Sequence, residues 1–326
     1  MNSALTHIQS TILSMKSDIQ KEVIGQEKLI DKLLITFFSG GHALIEGVPG
    51  LGKTKAVNTM ARVLGYTFKR ISFTPDLLPS DLTGNEIFRP QTGKFETRKG
   101  PIFTNILLAD EINRTPPKVQ SALLEAMEER QVTIGEETLS LPTPFFVIAT
   151  QNSLEHEGTY PLPEAQLDRF TLKILLSYPT AEDEKKIFLG SSQGNIQEKS
   201  EKSENVLSTS DFLEMIDYMS KNIRVDEKIY DYISEILIAT RKLAIDSKTQ
   251  ESKLSYGAST RAGLALVRTS RVRALMCDRD YVLPEDIKYL AHDVLRHRVG
   301  LSYTSMSEGI RTDEVISEIL ENVQIP

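Results

Sequence analysis

The stretch that decides the fold is Gly47-Val48-Pro49-Gly50-Leu51-Gly52-Lys53-Thr54, a complete G-x-x-x-x-G-K-T phosphate loop. A short apolar run at 43–45 precedes it, and residues 55–64 read as a helix. In this strand–loop–helix order, the glycines let backbone N–H groups point at phosphate oxygens beside a helix N-terminus. The chain is therefore predicted to bind a nucleoside triphosphate, with Lys53 neutralising the β- and γ-phosphates and Thr54 ligating Mg²⁺.

A second apolar run, downstream of the phosphate loop, ends in a pair of acidic residues. Residues 104–109 are largely apolar and lead into Asp110 and Glu111, which predicts a buried parallel strand with carboxylates at its carboxyl end. Open α/β sheets bind ligands at that edge. We expect Asp110 to hold Mg²⁺ through water and Glu111 to act as general base on the attacking water. A solvated acidic turn is the alternative, but a spacing of about 60 residues from the loop accommodates two intervening βα units.

Two further polar residues follow or precede predicted strands. Asn152 comes after the apolar run 144–150, where an amide could orient the lytic water or contact the γ-phosphate. Taken alone, Asn152 is more often a turn former. Arg169 lies just before the predicted strand 171–176, and by itself it would be an ordinary surface arginine.

Together, these residues resemble the AAA+ ATPases, and the MoxR family within them closely. The resemblance implies five sites, namely Walker A at 47–54, Walker B at Asp110 and Glu111, sensor-1 at Asn152, an arginine finger at Arg169 and sensor-2 at Arg261.

Three longer stretches carry the MoxR resemblance, namely residues 73–84, 108–135 and 150–170. The resemblance covers nearly the whole chain and fades between about residues 190 and 207. Thr260 stands where the family usually has proline before the sensor-2 arginine. That departure leaves Arg261 itself in place, so its role is retained.

The expected fold is an α/β AAA+ core with a five-stranded parallel sheet flanked by helices, followed by a smaller all-helical lid. The strands are predicted near 42–46, 67–74, 104–110, 145–150 and 171–176. Domain boundaries are expected at 1–190 for the core, 191–207 for a flexible connection poor in apolar residues, and 208–326 for the lid. Lid helices are predicted at about 210–220, 226–244, 259–277, 284–295 and 307–322.

The resemblance also assigns residues around the nucleotide. Val23, Ile24 and Gly25 lie between two predicted helices and would border the adenine. Arg261 begins a predicted lid helix, from which it could reach the γ-phosphate and couple the lid angle to the nucleotide state.

Two segments alternate apolar and polar residues around turn signals, which predicts hairpins at about 84–100 and 131–141. By resemblance they are the helix-2 insert and the hairpin before sensor-1, and they would face the pore of a ring. Surface hairpins without any client contact are the alternative.

Composition restricts the function. The chain has 38 basic and 45 acidic residues, and its net charge of −7 does not favour nucleic acid. Arg268, Arg271 and Arg273 form a basic stripe that is more typical of a solvated or interface face. A single cysteine, Cys277, excludes an internal disulfide and a cysteine metal site. Without a signal-peptide core or a long apolar run, the protein is expected to be cytoplasmic with no membrane span.

The resemblance implies an ATPase that uses ATP and Mg²⁺ and works as a ring of identical subunits, expected to be a hexamer when nucleotide is bound. Its output would be remodelling, assembly or maturation of protein clients, with a von Willebrand factor A-type adaptor as a candidate partner. A DNA-directed, helicase-like motor is one alternative, because related rings with helix-2 inserts act on DNA. A nucleotide-gated scaffold with low turnover is another.

Overall fold

The computed structural model describes residues 3–48, 50–91, 93–152, 158–192, 207–245 and 252–325. Pro49, one of the predicted phosphate-loop residues, lies outside the described residues, as do residues 193–206 of the predicted connection. The strands in chain order are β1 (Ala43–Glu46), β2 (Phe68–Ser72), β3 (Gly84–Arg89), β4 (Lys94–Lys99), β5 (Ile106–Asp110), β6 (Gln131–Ile134), β7 (Glu137–Ser140), β8 (Phe146–Gln151), β9 (Leu172–Leu175), β10 (Leu254–Tyr256) and β11 (Gly300–Leu301).

Five of these strands form the predicted parallel sheet, in the order β2-β5-β8-β1-β9. β1, β5 and β8 are almost entirely buried, since helices cover both faces of the sheet. Their register places Ile45 opposite Thr150 and Ala109 opposite Ala149, so the three strands end at one level. The carboxyl edge of the sheet therefore carries the phosphate loop, the acidic pair and Asn152.

The core helices are α1 (Ser3–Glu22), α2 (Glu27–Phe38), α3 (Lys53–Leu64), α4 (Pro79–Thr83), α5 (Pro117–Glu129), α6 (Glu164–Leu167) and α7 (Ala181–Ser192). Helices α1, α2 and α3 share one hydrophobic core with one sheet face, and α5 packs on the other face. α5 begins at Pro117, where the missing N–H costs no helical hydrogen bond.

Both predicted hairpins are present. β3 pairs antiparallel with β4, and β6 pairs antiparallel with β7. The two hairpins touch, because the Thr97 hydroxyl donates to Glu137 Oε2 at 3.2 Å.

The segment predicted as the lid contains α8 (Thr209–Asn222), α9 (Glu227–Ile245), α10 (Thr260–Met276), α11 (Pro284–Leu295), α12 (Tyr303–Ser307) and α13 (Thr312–Asn322). The segment predicted as one helix at 307–322 is interrupted, because Gly309 adopts a φ of +77° after α12. β10 and β11 also form a small antiparallel pair that local periodicity did not predict.

The lid packs directly on the first two helices of the core. Residues of α1 and α2 join those of α9, α10, α11 and α13 in one hydrophobic cluster. A buried ion pair reinforces this contact, with Lys32 Nζ 2.6 Å from Asp293 Oδ2. Within the described residues, no helix combines the length and the apolarity that crossing a membrane requires.

Candidate nucleotide site

The phosphate loop leaves β1 and enters α3 through glycines of two kinds. Gly50 and Gly52 have φ values of +86° and +74°, and a Cβ on either would meet nothing within 4 Å. Gly47 is instead crowded, since its Cβ would lie 2.9 Å from Leu176 Cβ. Two glycines thus border open space, and the third allows the loop to pack against the segment after β9.

Lys53 folds back over this loop. Its Nζ donates to the Gly47 carbonyl at 3.0 Å. Burial lowers the pKa of Lys53, while the charges of Asp110 and Glu111 raise it. No described side chain caps the start of α3, so its first N–H groups are available to an anion. The loop has the open cradle and the cationic amine that a triphosphate needs.

The acidic pair is organised by Thr150, which the sequence analysis did not single out. The fully buried Thr150 hydroxyl donates to Asp110 Oδ1 at 2.6 Å and accepts the Glu111 N–H at 2.9 Å. From the other neighbouring strand, Arg70 donates to Asp110 Oδ2 through Nε at 3.1 Å. The Asp110 carboxylate is therefore held from both sides.

Glu111 turns the chain sharply at the end of β5. Its φ of +58° lies in the left-handed region, which costs a non-glycine residue on the order of 1–3 kcal/mol. Its carboxylate lies 3.1 Å from Arg114 Nε, and it remains partly exposed at the sheet edge. An acid at this position can contact a water beside a bound phosphate.

Gln120 of α5 supports the turn that follows Glu111. Its buried Nε2 is 3.2 Å from the Ile112 carbonyl, 3.0 Å from that of Thr115 and 3.1 Å from that of Tyr160. The sequence could have indicated this role, because Gln120 falls on the apolar face of an amphipathic helix and a buried amide needs hydrogen-bond partners.

Asn152 lies one residue beyond β8 and is largely buried. The preceding residue, Gln151, accepts the Gly47 N–H through its carbonyl at 3.3 Å, which joins the end of β8 to the start of the phosphate loop. The structure thus brings Asn152, Lys53 and the acidic pair to one edge of the sheet.

Val23, Ile24 and Gly25 lie between α1 and α2, beside the start of α7. Gly25 has a φ of +75°, and a Cβ there would be 2.9 Å from Asp183 Cβ. The next residue, Gln26, donates through Nε2 to the Leu51 carbonyl at 3.3 Å. The residue after this connector therefore contacts the phosphate loop, and the assignment of Val23, Ile24 and Gly25 to the adenine border stays a prediction.

Magnesium would be held by oxygen ligands that the site supplies. Thr54 offers a hydroxyl in the first turn of α3, and Asp110 offers a carboxylate at the adjacent strand end. Hydroxyl, carboxylate and water are the hard donors that Mg²⁺ prefers. The residues present fit the ion.

The two predicted arginines lie elsewhere. Arg169 Nη2 is 2.9 Å from Glu128 Oε2, and Arg261 Nη2 is 2.8 Å from Glu128 Oε1. The Thr171 N–H donates to the carbonyl of His42, the residue before β1, whereas the phosphate loop follows β1. The arginines therefore lie at the amino edge of the sheet, opposite the phosphate loop of their own chain. The role of Arg261 at the γ-phosphate stays a prediction.

Around the arginines is a cleft of about 260 Å³. Four arginines and two acids line it, together with His42, Met127, Thr171 and Leu264. The charged residues are Glu128, Asp168, Arg169, Arg261, Arg268 and Arg298. Four cations against two anions make this cleft suited to an external anion.

Comparison with known families identifies both parts of the chain. Residues 42–172 match the model of the ATPase family associated with various cellular activities (AAA), and residues 247–319 match the AAA lid domain. The chain is 45% identical to Chaperone MoxR1 of Mycobacterium tuberculosis over 310 residues, which cover 95% of this chain and 81% of that protein.

A solved structure agrees with the fold. A putative ATPase from Cytophaga hutchinsonii superposes with a TM-score of 0.89 at 46% identity, covering 99% of this chain and 97% of that one. A weaker likeness, 28% identity over 178 residues, relates 51% of this chain to 47% of a Holliday junction branch migration complex subunit RuvB from Anaeromyxobacter.

Proposed function

The chain belongs to the MoxR family of AAA+ ATPases, and on that premise we propose that it hydrolyses ATP between neighbouring subunits of a ring to remodel protein clients. It is an ATPase and uses ATP and Mg²⁺. The proposed parts are the ring and its expected hexameric order, the roles of individual site residues, and the action on protein clients.

At the carboxyl edge, the glycines of the loop, Lys53 and the start of α3 bind the phosphates. Bound Mg²⁺ supplies charge neutralisation on the phosphate oxygens. Glu111 accepts a proton from the attacking water, and Asn152 orients that water or the γ-phosphate. Thr150 keeps both acids in place through its two hydrogen bonds.

One observation supports hydrolysis between subunits. Arg169 and Arg261 converge on Glu128 at the amino edge of the sheet, away from the phosphate loop of the same chain. A subunit that presents its own arginines to a neighbour's triphosphate needs them at its surface, and both are partly exposed. An arginine supplied in this way accelerates phosphoryl transfer by roughly 10³- to 10⁵-fold in other systems.

Mixed rings test this proposal. Arg169→Ala subunits should bind ATP and hydrolyse it poorly, whereas Lys53→Ala subunits should not bind it. Rings mixed from the two should regain activity, because each variant supplies what the other lacks. If activity does not recover at any mixing ratio, although mass measurements show that the rings contain both variants, hydrolysis in trans is refuted.

The hairpin β3–β4 supports a protein client. Phe88 and Phe95 are cross-strand partners whose ring centroids lie 5.3 Å apart, and they are 50% and 67% exposed. Exposed paired aromatic rings on a hairpin favour contact with another protein. The relative named Chaperone MoxR1 is consistent with that output. Capture of a client by the Glu111→Gln variant with ATP, assayed both in the presence and in the absence of a von Willebrand factor A-type adaptor, tests this part.

The likeness to RuvB keeps a DNA-directed motor as the second candidate. It covers only half of the chain, and the net charge of −7 opposes a large phosphate-binding surface. A several-fold rise in ATPase rate on adding single- or double-stranded DNA at physiological salt would favour this candidate.

A further inference from the structure

Asp168, the residue before the predicted arginine finger, accepts hydrogen bonds from two lid residues. Arg298 Nε donates to Asp168 Oδ1 at 2.6 Å, and the Ser259 hydroxyl donates to Asp168 Oδ2 at 3.1 Å. Both carboxylate oxygens are thus bound by lid residues, although Asp168 lies 130 residues before Arg298.

Arg298 is buried, and each of its five N–H groups has an acceptor. Besides Asp168 Oδ1, the acceptors are the carbonyls of Thr171 at 3.0 Å, Val294 at 2.7 Å, Asp168 at 3.1 Å and Phe170 at 2.6 Å. A buried guanidinium is tolerated when its donors are satisfied, and breaking its ion pair is costly. The segment that carries Arg169 is therefore fixed to the end of α11.

Ser259 extends this connection to the second arginine. It is the N-cap of α10, and its hydroxyl accepts the Arg261 N–H at 3.2 Å while donating to Asp168. Asp168 therefore connects the backbone of Arg169, its neighbour in sequence, to the backbone of Arg261. The two arginine side chains then meet at the Glu128 carboxylate.

We propose that Asp168 and Arg298 are positioning residues for the ATP of the neighbouring subunit, because they set the separation at which Arg169 and Arg261 meet one triphosphate. The inference rests on the hydrolysis in trans proposed above. Neither positioning residue needs to touch the phosphate. Misplacing a group by about 1 Å can cost 10²-fold in rate, so a loosened support should slow turnover without altering ATP binding.

A simple tether between lid and core would use the same contacts, but only a positioning role depends on which subunit carries the change. In a mixed ring, Lys53→Ala subunits donate arginines and Arg169→Ala subunits provide the functional ATP site. Asp168→Asn is added first to the arginine donors and then, in a separate preparation, to the ATP-binding subunits.

We expect the recovered turnover number to fall by about tenfold or more when the donors carry Asp168→Asn, with the KM for ATP unchanged. The same substitution in the ATP-binding subunits should leave the recovered rate unchanged. Equal losses in the two placements, or no loss in the donors, would overturn the positioning role. If the parent mixture of Lys53→Ala and Arg169→Ala fails to recover, hydrolysis in trans is refuted and this inference falls with it.

Asp293→Asn is the matched control. It weakens another lid–core contact at the end of α11, where Asp293 Oδ1 lies 2.6 Å from Arg296 Nη1 and Asp293 Oδ2 lies 2.6 Å from Lys32 Nζ, without touching Asp168. It should reduce stability while showing no dependence on placement. Arg298→Lys retains the charge and loses the planar guanidinium with its several donors. If Asp168→Asn subunits do not enter rings, Arg298→Lys is placed first in the donors and then in the ATP-binding subunits, with the same expected results.

Discussion

The Thr150 hydroxyl donates to Asp110 Oδ1 at 2.6 Å, and the oxygen of this hydroxyl accepts a hydrogen bond from the backbone N–H of Glu111. One buried side chain on β8 thereby fixes two acids at the end of β5, the predicted magnesium-holding carboxylate and the predicted general base. This contact joins the strand that leads to Asn152 to the acidic pair.

Thr150→Val should retain the fold and shape of this site but remove both hydrogen bonds. A hydrogen bond to a charged group contributes about 1.5–3 kcal/mol, so we expect the turnover number to fall roughly 10- to 100-fold. Thr150→Ser should keep most of the activity, because it retains the hydroxyl. Steady-state ATPase assays on both variants, with thermal melts to check folding, measure this effect. Full activity of Thr150→Val would contradict it.

Lys53→Ala and Glu111→Gln should separate binding from chemistry. The first removes the cation that binds the phosphates, so ATP affinity should be lost. The second retains a side chain of the same size but cannot accept a proton, so ATP should bind and turnover should be nearly abolished. Fluorescent nucleotide binding and phosphate release are measured for each variant. Near-normal hydrolysis by Glu111→Gln would show that another group is the base.

The sequence predicted the sheet, the phosphate loop and both hairpins because these depend on local periodicity and turn residues. The role of Thr150 could not be predicted in this way. A threonine in an apolar strand is common, and its role is evident only when the strand pairing places it beside Asp110 and Glu111. The Asp168–Arg298 pair joins residues 130 positions apart, so no local pattern indicates it. The position of Arg261 required the packing of the lid, which a motif does not specify.

The lowered pKa of Lys53 predicts how ATP affinity depends on pH. Burial lowers the pKa of this amine in the free protein, and a bound triphosphate would raise it again because it favours the charged form. Affinity should therefore be greatest below the pKa of the free protein and decline as pH rises through it, earlier than for an ordinary lysine. Nucleotide titrations from neutral to alkaline pH measure this. Lys53→Arg is the control, since a guanidinium stays charged and any remaining affinity should not decline in that range.

Arg261 should behave as a residue supplied to a neighbour. Because it shares Glu128 with Arg169, Arg261→Ala subunits should bind ATP with unchanged affinity and hydrolyse it poorly on their own. Mixing them with Lys53→Ala subunits should restore turnover, as for Arg169→Ala. Recovery with Arg169→Ala but none with Arg261→Ala would place the action of Arg261 within its own chain, through a lid movement that this conformation does not contain.

The exposed Phe88–Phe95 pair should affect work on clients more than basal ATPase. Its rings lie on the β3–β4 hairpin, and the proposed chemistry requires no residue of that hairpin. Phe95→Ser should therefore leave basal turnover near its normal rate while weakening capture of a protein client by the Glu111→Gln variant with ATP. Substitution of Lys94, the residue before Phe95 on the same exposed strand, tests whether charge rather than apolar contact governs capture. If Phe95→Ser leaves client capture intact and instead reduces a DNA-stimulated ATPase rate, the hairpin acts on nucleic acid and the protein-remodelling proposal is wrong.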